Sequence, residues 1–231
     1  IPLDHPTIAA ARAAGVEIVG DVELLWRAMP ERNFVGITGT NGKSTTTALI
    51  GHILERARQT VQVGGNLGTP ALSLEALWAE GSYVLEMSSF QLDLTRHMSF
   101  DIAVLLNIAP DHLDRHGDMA AYTAAKQKIF RSPRLKTAIV GIDGPDTLRI
   151  CNELRQREGL NVIPIATGRR LLDGVAANGG LLEDHGQAIC DLEVARALTG
   201  RHNWQNAAAA YAATRAMGID PEVIARALLS F

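Results

Sequence analysis

VGITGTNGKSTTTALIG (Val35–Gly51) is the stretch on which the reading of this chain turns. An apolar segment, NFVGIT (Asn33–Thr38), reads as a strand, and a helix is expected from about Ser44 to Arg58. Between them lies a glycine-rich bend. A strand–loop–helix of this kind binds phosphate for physical reasons. Glycines let backbone N–H groups converge on oxygens, and the helix N-terminus adds its positive end. A lysine supplies a mobile charge and a hydroxyl reaches Mg²⁺. Gly39, Thr40, Asn41, Gly42, Lys43, Ser44 and Thr45 are the candidates for holding a nucleotide. The standard pattern, GxxxxGK[ST], would put its first glycine where Ile37 stands, and the nearest glycine is Gly36, so the loop is a variant. It fits a GTPase, a kinase or an ATP-dependent ligase. The chain has no Asn-Lys-x-Asp guanine reader.

Outward from the loop, strand-like and helix-like segments alternate, which argues for βαβ units and a mostly parallel sheet flanked by helices. Strands are expected at TVQVGG, YVLEMSS (Tyr83–Ser89), FDIAVLLNI, TAIVGI and NVIPIA. Helices are expected at PALSLEALWAEG, AAYTAAKQKIFR and PDTLRICNELRQREG. Ahead of the loop, HPTIAAARAAG reads as a helix, VEIVG as a short strand, and DVELLWRAM as a helix capped by Asp21. Near residues 174–192 the rhythm changes to a small antiparallel β segment whose Asn-Gly suits a tight turn. Two helices, HNWQNAAAAYAATRAMG and DPEVIARALLSF, end the sequence.

The bulk numbers set limits. With 231 residues there is room for one large domain, or one domain plus a fragment. Apolar residues make up 47%, enough for a full core. A formal charge of −3 speaks against a nucleic-acid binder. No apolar run is long enough for a membrane span, and Cys151 and Cys190 lie outside any CxxC pair, so both read as free thiols of a cytoplasmic protein.

Six motifs then occur in order: GITGTNGKSTTT, GGNLG (Gly64–Gly68), YVLEMSSFQL (Tyr83–Leu92), LNIAPDHLDRH (Leu106–His116), YTAAKQKIF (Tyr122–Phe130) and GRHNWQNAAAA (Gly200–Ala210). Together they resemble the Mur ligase superfamily, ATP-dependent amide-forming enzymes of peptidoglycan synthesis with folylpolyglutamate synthase as a relative. SSFQL and GVEIVGDVELLWR (Gly15–Arg27) resemble the branch that adds D-glutamate to UDP-N-acetylmuramoyl-L-alanine. The resemblance implies residues 1–30 as the end of a uridine-nucleotide-binding domain and 31–231 as the central ATP-binding domain. A third domain would be absent, and the chain would be a truncated, cytoplasmic, monomeric piece with little turnover alone.

The resemblance also assigns residues. Lys43 would contact the β- and γ-phosphates, and Ser44 would ligate Mg²⁺. Glu86, a carboxylate inside an apolar strand, costs several kcal/mol unless paired or metal-bound; it is expected as a Mg²⁺ ligand, with a structural ion pair as the alternative. Ser88 and Ser89 would line the same site. His112 would stand near a second Mg²⁺ and the substrate, while Asp111 and Asp114 read as local caps; His116 is a further candidate in that loop. Lys126 is expected to be carbamylated and to serve as a metal ligand, since burial lowers an amine's pKa and makes it nucleophilic. Gly65 and Asn66 would meet the substrate pyrophosphate, unless GGNLG is a plain turn. Asn203 and Asn206 share a helix face and would lie at the adenine, Asn203 alternatively serving as an N-cap. Two other readings stay open: another amide ligase of the superfamily, similar to folylpolyglutamate synthase, and a non-catalytic nucleotide-binding module.

Overall fold

The computed structural model describes residues 5–78 and 80–231. Two helices lead, α1 (Pro6–Ala13) and α2 (Asp21–Ala28), followed by β1 (Asn33–Thr38), α3 (Lys43–Arg56), β2 (Val61–Gly65) and β3 (Ser82–Glu86). The chain continues through α4 (Ser89–Asp93), β4 (Ile102–Leu105), α5 (Leu113–His116), α6 (Met119–Gln127), β5 (Thr137–Gly141), α7 (Pro145–Leu154) and β6 (Asn161–Thr167). Three short strands, β7 (Val175–Asn178), β8 (Leu181–Asp184) and β9 (Gln187–Asp191), precede α8 (Arg201–Ala216) and α9 (Pro221–Leu229).

All the strands form one sheet in the order β2-β3-β1-β4-β5-β6-β7-β8-β9. It is parallel from β2 through β7, and only β8 and β9 run antiparallel to their neighbours. The expected α/β class and the antiparallel segment near 174–192 are both present, with β7 belonging to the parallel part as well. Alternate residues feed two cores. Val35, Ile37, Val84, Val104 and Ile139 pack beneath α3, α8 and α9. Phe34, Tyr83, Leu85, Ala103 and Val140 point the other way, against α2, α7 and the Ile129–Phe130 turn. Strands buried on both faces read as continuous apolar runs, as these do.

Several local expectations are corrected. VEIVG forms no strand; it is the extended lead into α2, whose N-cap is Gly20, with Asp21 the first helical residue. PALSLEALWAEG is not an α-helix. After a single 3₁₀ turn at Ala71–Ser73 the segment is irregular as far as Trp78, and Ala79 lies outside the described residues. The cause is tertiary: the Tyr83 hydroxyl accepts from Leu77 N–H (3.1 Å) and donates to Glu75 O (3.0 Å), while Gln62 Oε1 takes Glu75 N–H (3.1 Å). Those bonds use the backbone groups a helix would need. β3 stops at Glu86 rather than Ser89, because Ser88 becomes the N-cap of α4 in a capping box with Gln91. The strand expected around FDIAVLLNI shrinks to Ile102–Leu105.

The sheet order places β1 at a topological switch. The chain leaves β1 toward β2 and β3 on one side and returns to β4 on the other. Loops on either side of such a point diverge and leave a crevice at the C-terminal strand ends.

Candidate functional site

That crevice holds most of the motif residues. Gly42, at φ +86°, caps α3, and the first backbone bond of the helix is Thr46 N–H to Gly42 O, so the N–H groups of Lys43, Ser44 and Thr45 precede the helical ladder. A side chain at Gly42 would meet Asn206: a Cβ there would lie 2.1 Å from Asn206 Oδ1. Asn206, in the second turn of α8, thus presses on the loop, so glycine suits the position on two grounds, conformation and space.

Two lysines converge on one carbonyl. Lys43 Nζ donates to Gly39 O (3.1 Å) and Thr40 O (2.9 Å), and Lys126 Nζ donates to Gly39 O (2.8 Å). Lys126 is buried and faces the Tyr122 ring at 4.7 Å. Burial and then the Lys43 charge pull its pKa down to about 7, against a partial upward pull from Asp111. Tyr122 and Thr40 share a hydroxyl–hydroxyl bond (3.1 Å), and Thr40 Oγ1 also exchanges hydrogen bonds with Ala109 O and N–H, which ties the loop after β1 to the loop after β4.

Glu86 sits at the last position of β3, in register with Ile37 of β1 and Gly65 of β2. Only 3% of it is exposed, and its Oε1 accepts from Asn66 Nδ2 (3.0 Å). No ion pair to Glu86 occurs among the described residues, so the structural salt bridge expected as its alternative is absent. Asn66 also donates its N–H to Glu86 O (2.9 Å), and Gly65, at φ +113°, lies against the Glu86 backbone, where a Cβ would be 2.4 Å from the carbonyl oxygen. GGNLG is therefore more than a turn: it is the wall beside the carboxylate.

His112 lies in the loop after β4, just ahead of α5. It is the αL residue (φ +51°) that starts α5, so Asp111 and Asp114 are not the caps expected of them. Asp111 Oδ2 lies 3.5 Å from His112 Nε2. Phe90, of SSFQL, packs against His112 at 5.1 Å and stacks on His116 at 5.5 Å, with the Arg115 guanidinium 3.9 Å above its ring. His116 Nε2 pairs with Ser89 Oγ (3.0 Å) and its ring touches Tyr122. Burial lowers the His116 pKa. An aromatic line thus runs from His112 to Tyr122 and the loop. Ser88 hydroxyl is engaged with Gln91, so it fixes α4. No hydrogen bond or ion pair joins Lys43, Glu86 and His112 directly, and among the described residues no three metal-binding side chains form a preformed cage. A buried carboxylate with a single neutral side-chain partner, an exposed Ser44 at a helix start and a phosphate loop suit Mg²⁺, which takes few protein ligands and completes its shell with water and phosphate oxygens.

The N-terminal end of α8 supplies features the sequence did not reveal. Asn203 is not the N-cap, which is Gly200; its Nδ2 donates to Thr199 O (3.0 Å) and its Oδ1 accepts from Asn206 (3.3 Å). Beside this pair opens a cleft of about 380 Å³ lined by Asp143, Thr167, Arg201, His202 and Gln205. Arg201 and Gln205 flank the HN..N motif and could have been noticed there; Asp143 and Thr167 carry no local signal. Cys151 and Cys190 are both free thiols. No helix among the described residues is long and apolar enough to cross a membrane.

Known proteins bear on this geometry. The chain is 53% identical over 235 residues to a UDP-N-acetylmuramoylalanine–D-glutamate ligase of Rhodospirillum rubrum, covering 100% of this chain and 49% of the relative. It is 49% identical over 246 residues to the protein of that name from Phenylobacterium zucineum, covering 100% of this chain and 52% of the relative. It therefore spans about half the length of the curated relatives it matches. Among solved structures, the UDP-N-acetylmuramate:L-alanyl-γ-D-glutamyl-meso-diaminopimelate ligase from Neisseria meningitides superposes with a TM-score of 0.71 at 22% identity, over 100% of this chain and 76% of that one. The UDP-N-acetylmuramate–alanine ligase from Thermotoga maritima gives 0.65 at 20% identity, over 100% and 53%. At such identities the likeness speaks to the fold. Residues 37–214 match the Mur ligase middle domain, and with the phosphate loop, the strand-end carboxylate and the buried lysine on one sheet edge, this chain belongs to the Mur ligase family.

Proposed function

We propose that this chain is the ATP-binding part of a cytoplasmic ligase that joins D-glutamate to UDP-N-acetylmuramoyl-L-alanine. In this reading residues 1–30 close a preceding uridine-nucleotide-binding domain and residues 31–231 form the ATP-binding domain. The observation that carries it is the convergence of Lys43 and Lys126 on Gly39 O, at the edge where Glu86 ends β3. Identity of 53% across the whole chain to a ligase of that name supports the choice of substrates.

The chemistry joins two anions, so the site must supply positive charge and position. The alanyl carboxylate attacks the γ-phosphorus of ATP, and the γ-phosphorus–oxygen bond breaks with its electron pair leaving on ADP. The resulting acyl phosphate is attacked by the amine of D-glutamate. The amide forms as inorganic phosphate departs and the amine loses a proton. Lys43 leaves the loop carbonyls to meet the β- and γ-phosphates, with the N–H groups of residues 43–45 facing the same oxygens. Asn203 and Asn206 orient the adenine side. Asn66 and Gly65 border the substrate pyrophosphate, and His112, braced by Phe90, faces the reacting carboxylate. Ser44, Glu86, His112 and Lys126 would hold two Mg²⁺ ions, which neutralise phosphate charge when bound. Lys126 fits that set as a carbamate: the ammonium first loses a proton, the neutral amine then adds to CO₂ and loses a second, and the buried side chain becomes a two-oxygen anion.

Titration calorimetry of the chain with Mg·ATP tests the nucleotide reading. Lys43→Ala is expected to weaken binding at least tenfold, in line with loss of a charge-assisted contact. A chain that binds no ATP, or one indifferent to Lys43, overturns it. In a protein of the relatives' full length carrying this segment, phosphate release is expected to require D-glutamate. Release with L-glutamate in place of D-glutamate would point to the folylpolyglutamate-type alternative, and ATP binding with no amino-acid-dependent release to a binding module.

A further inference from the structure

The backbone N–H groups at the turn of the phosphate loop are fixed from outside it, by Asn107 just beyond β4. The Asn107 backbone oxygen accepts Thr40 N–H (3.0 Å), Oδ1 accepts Asn41 N–H (2.9 Å) and Nδ2 donates to Asn41 O (3.2 Å). Two loop N–H groups are therefore spent on Asn107 instead of facing a ligand. The N–H groups at the helix start, residues 43–45, lie outside this pairing.

Asn107 Nδ2 donates a second bond to Gln205 Oε1 (2.8 Å). Gln205 Nε2 faces Asp143 Oδ2 (3.4 Å), and Asp143 in turn accepts from Thr167 N–H (3.0 Å) and Thr167 Oγ1 (2.8 Å). Arg201 closes the line by donating Nε to Thr167 Oγ1 and a terminal nitrogen to Thr167 O, each at 2.9 Å. The polarity of this line is fixed at both ends. Asn41 N–H only donates, so Oδ1 of Asn107 must face it; the Asp143 carboxylate only accepts, so Nε2 of Gln205 must face that. The central Nδ2–Oε1 bond then has the one orientation consistent with both. Gln205 is buried and links β4 to α8; Asp143 and Thr167 reach β5 and β6.

We infer that Asn107 is a positioning residue for nucleotide binding, and that the Asn107–Gln205–Asp143 relay sets the phosphate loop from the wall of the cleft at the start of α8. The inference rests on the nucleotide reading above. It makes Asn107 and Gln205 act as one unit, so their effects on binding are not additive.

The probes are inorganic tripolyphosphate, which senses the loop alone, and adenosine, which senses the cleft, each titrated with Mg²⁺ into the chain. Asn107→Leu is expected to weaken tripolyphosphate at least tenfold while adenosine affinity stays within about twofold, a split that general destabilisation would not produce. Gln205→Met is expected to weaken tripolyphosphate about threefold, and the double variant to bind it no more weakly than Asn107→Leu. Hydrogen exchange at the Asn41 amide is expected to accelerate in Asn107→Leu. Unchanged tripolyphosphate affinity in Asn107→Leu, equal loss of both probes, or multiplying losses in the double variant overturns the inference. Failure of the unsubstituted chain to bind tripolyphosphate instead brings down the nucleotide reading beneath it.

Discussion

Lys126 shows how one residue's chemistry follows from its surroundings. Burial is the largest influence on it, and the Lys43 charge adds to the effect; the folded pKa falls from 10.5 to about 7. A lysine with a depressed folded pKa costs stability where it must carry its charge. Between about pH 7 and the unfolded value the unfolded chain binds more protons, so stability rises with pH across that window. Lys126→Met is therefore expected to stabilise the chain by several kcal/mol below pH 7, since each tenfold loss of proton affinity corresponds to about 1.4 kcal/mol, with the gain shrinking toward pH 10. Urea unfolding midpoints at pH 6 and pH 9 check this, and equal gains at both would refute it. The same lowering brings the neutral amine within reach near pH 7. A ¹³C carbamate signal, followed at fixed dissolved CO₂, is expected to rise through that pH; absence of any signal up to pH 9 would deny Lys126 its proposed modification.

At the scale of elements, a single buried acid ties α2 to the loop at 96–98. Glu23 is fully buried and accepts from the N–H groups of Arg96, His97 and Met98 and from Arg27 Nε (3.1 Å). Burial pushes its carboxyl up, but the three backbone donors and Arg27 outweigh this and leave it below the usual value of 4.5. Its contribution is thus complete above that pH and is lost as the pH falls through the folded value. Glu23→Ala is expected to cost about 2–4 kcal/mol, because three backbone donors and a guanidinium lose their partner. The urea midpoint at pH 7 measures it, and the deficit is expected to narrow toward pH 3. The short acidic helix and the loop at 96–98 give no sequence sign of each other. Likewise PALSLEALWAEG carries a helix-like pattern that Tyr83 overrides from the next strand.

For the whole molecule, α8 is the central pillar. Ala207 through Ala213, Tyr211 included, are completely buried beneath the sheet and beside α3 and α9. An element closed in all round has no polar face to betray its orientation, and small residues let it approach the sheet closely. Ala209→Leu is expected to destabilise by about 1–3 kcal/mol through overpacking, read from the urea midpoint, with Mg·ATP affinity reduced as Asn206 shifts against Gly42. A neutral effect on both would contradict the tight packing described. The sequence alone determined the strand–loop–helix, the α/β class, the late antiparallel segment and the residue types of the site, because backbone propensity, glycine and lysine chemistry and apolar periodicity act over a few neighbouring residues. Only the tertiary structure decided that Lys126 is buried against Gly39, that Asn107 pairs with the backbone of Thr40 and Asn41, and that Asp143 and Thr167 line a cleft with α8. Those outcomes depend on strands far apart in the chain being placed side by side, and on burial that no local pattern records.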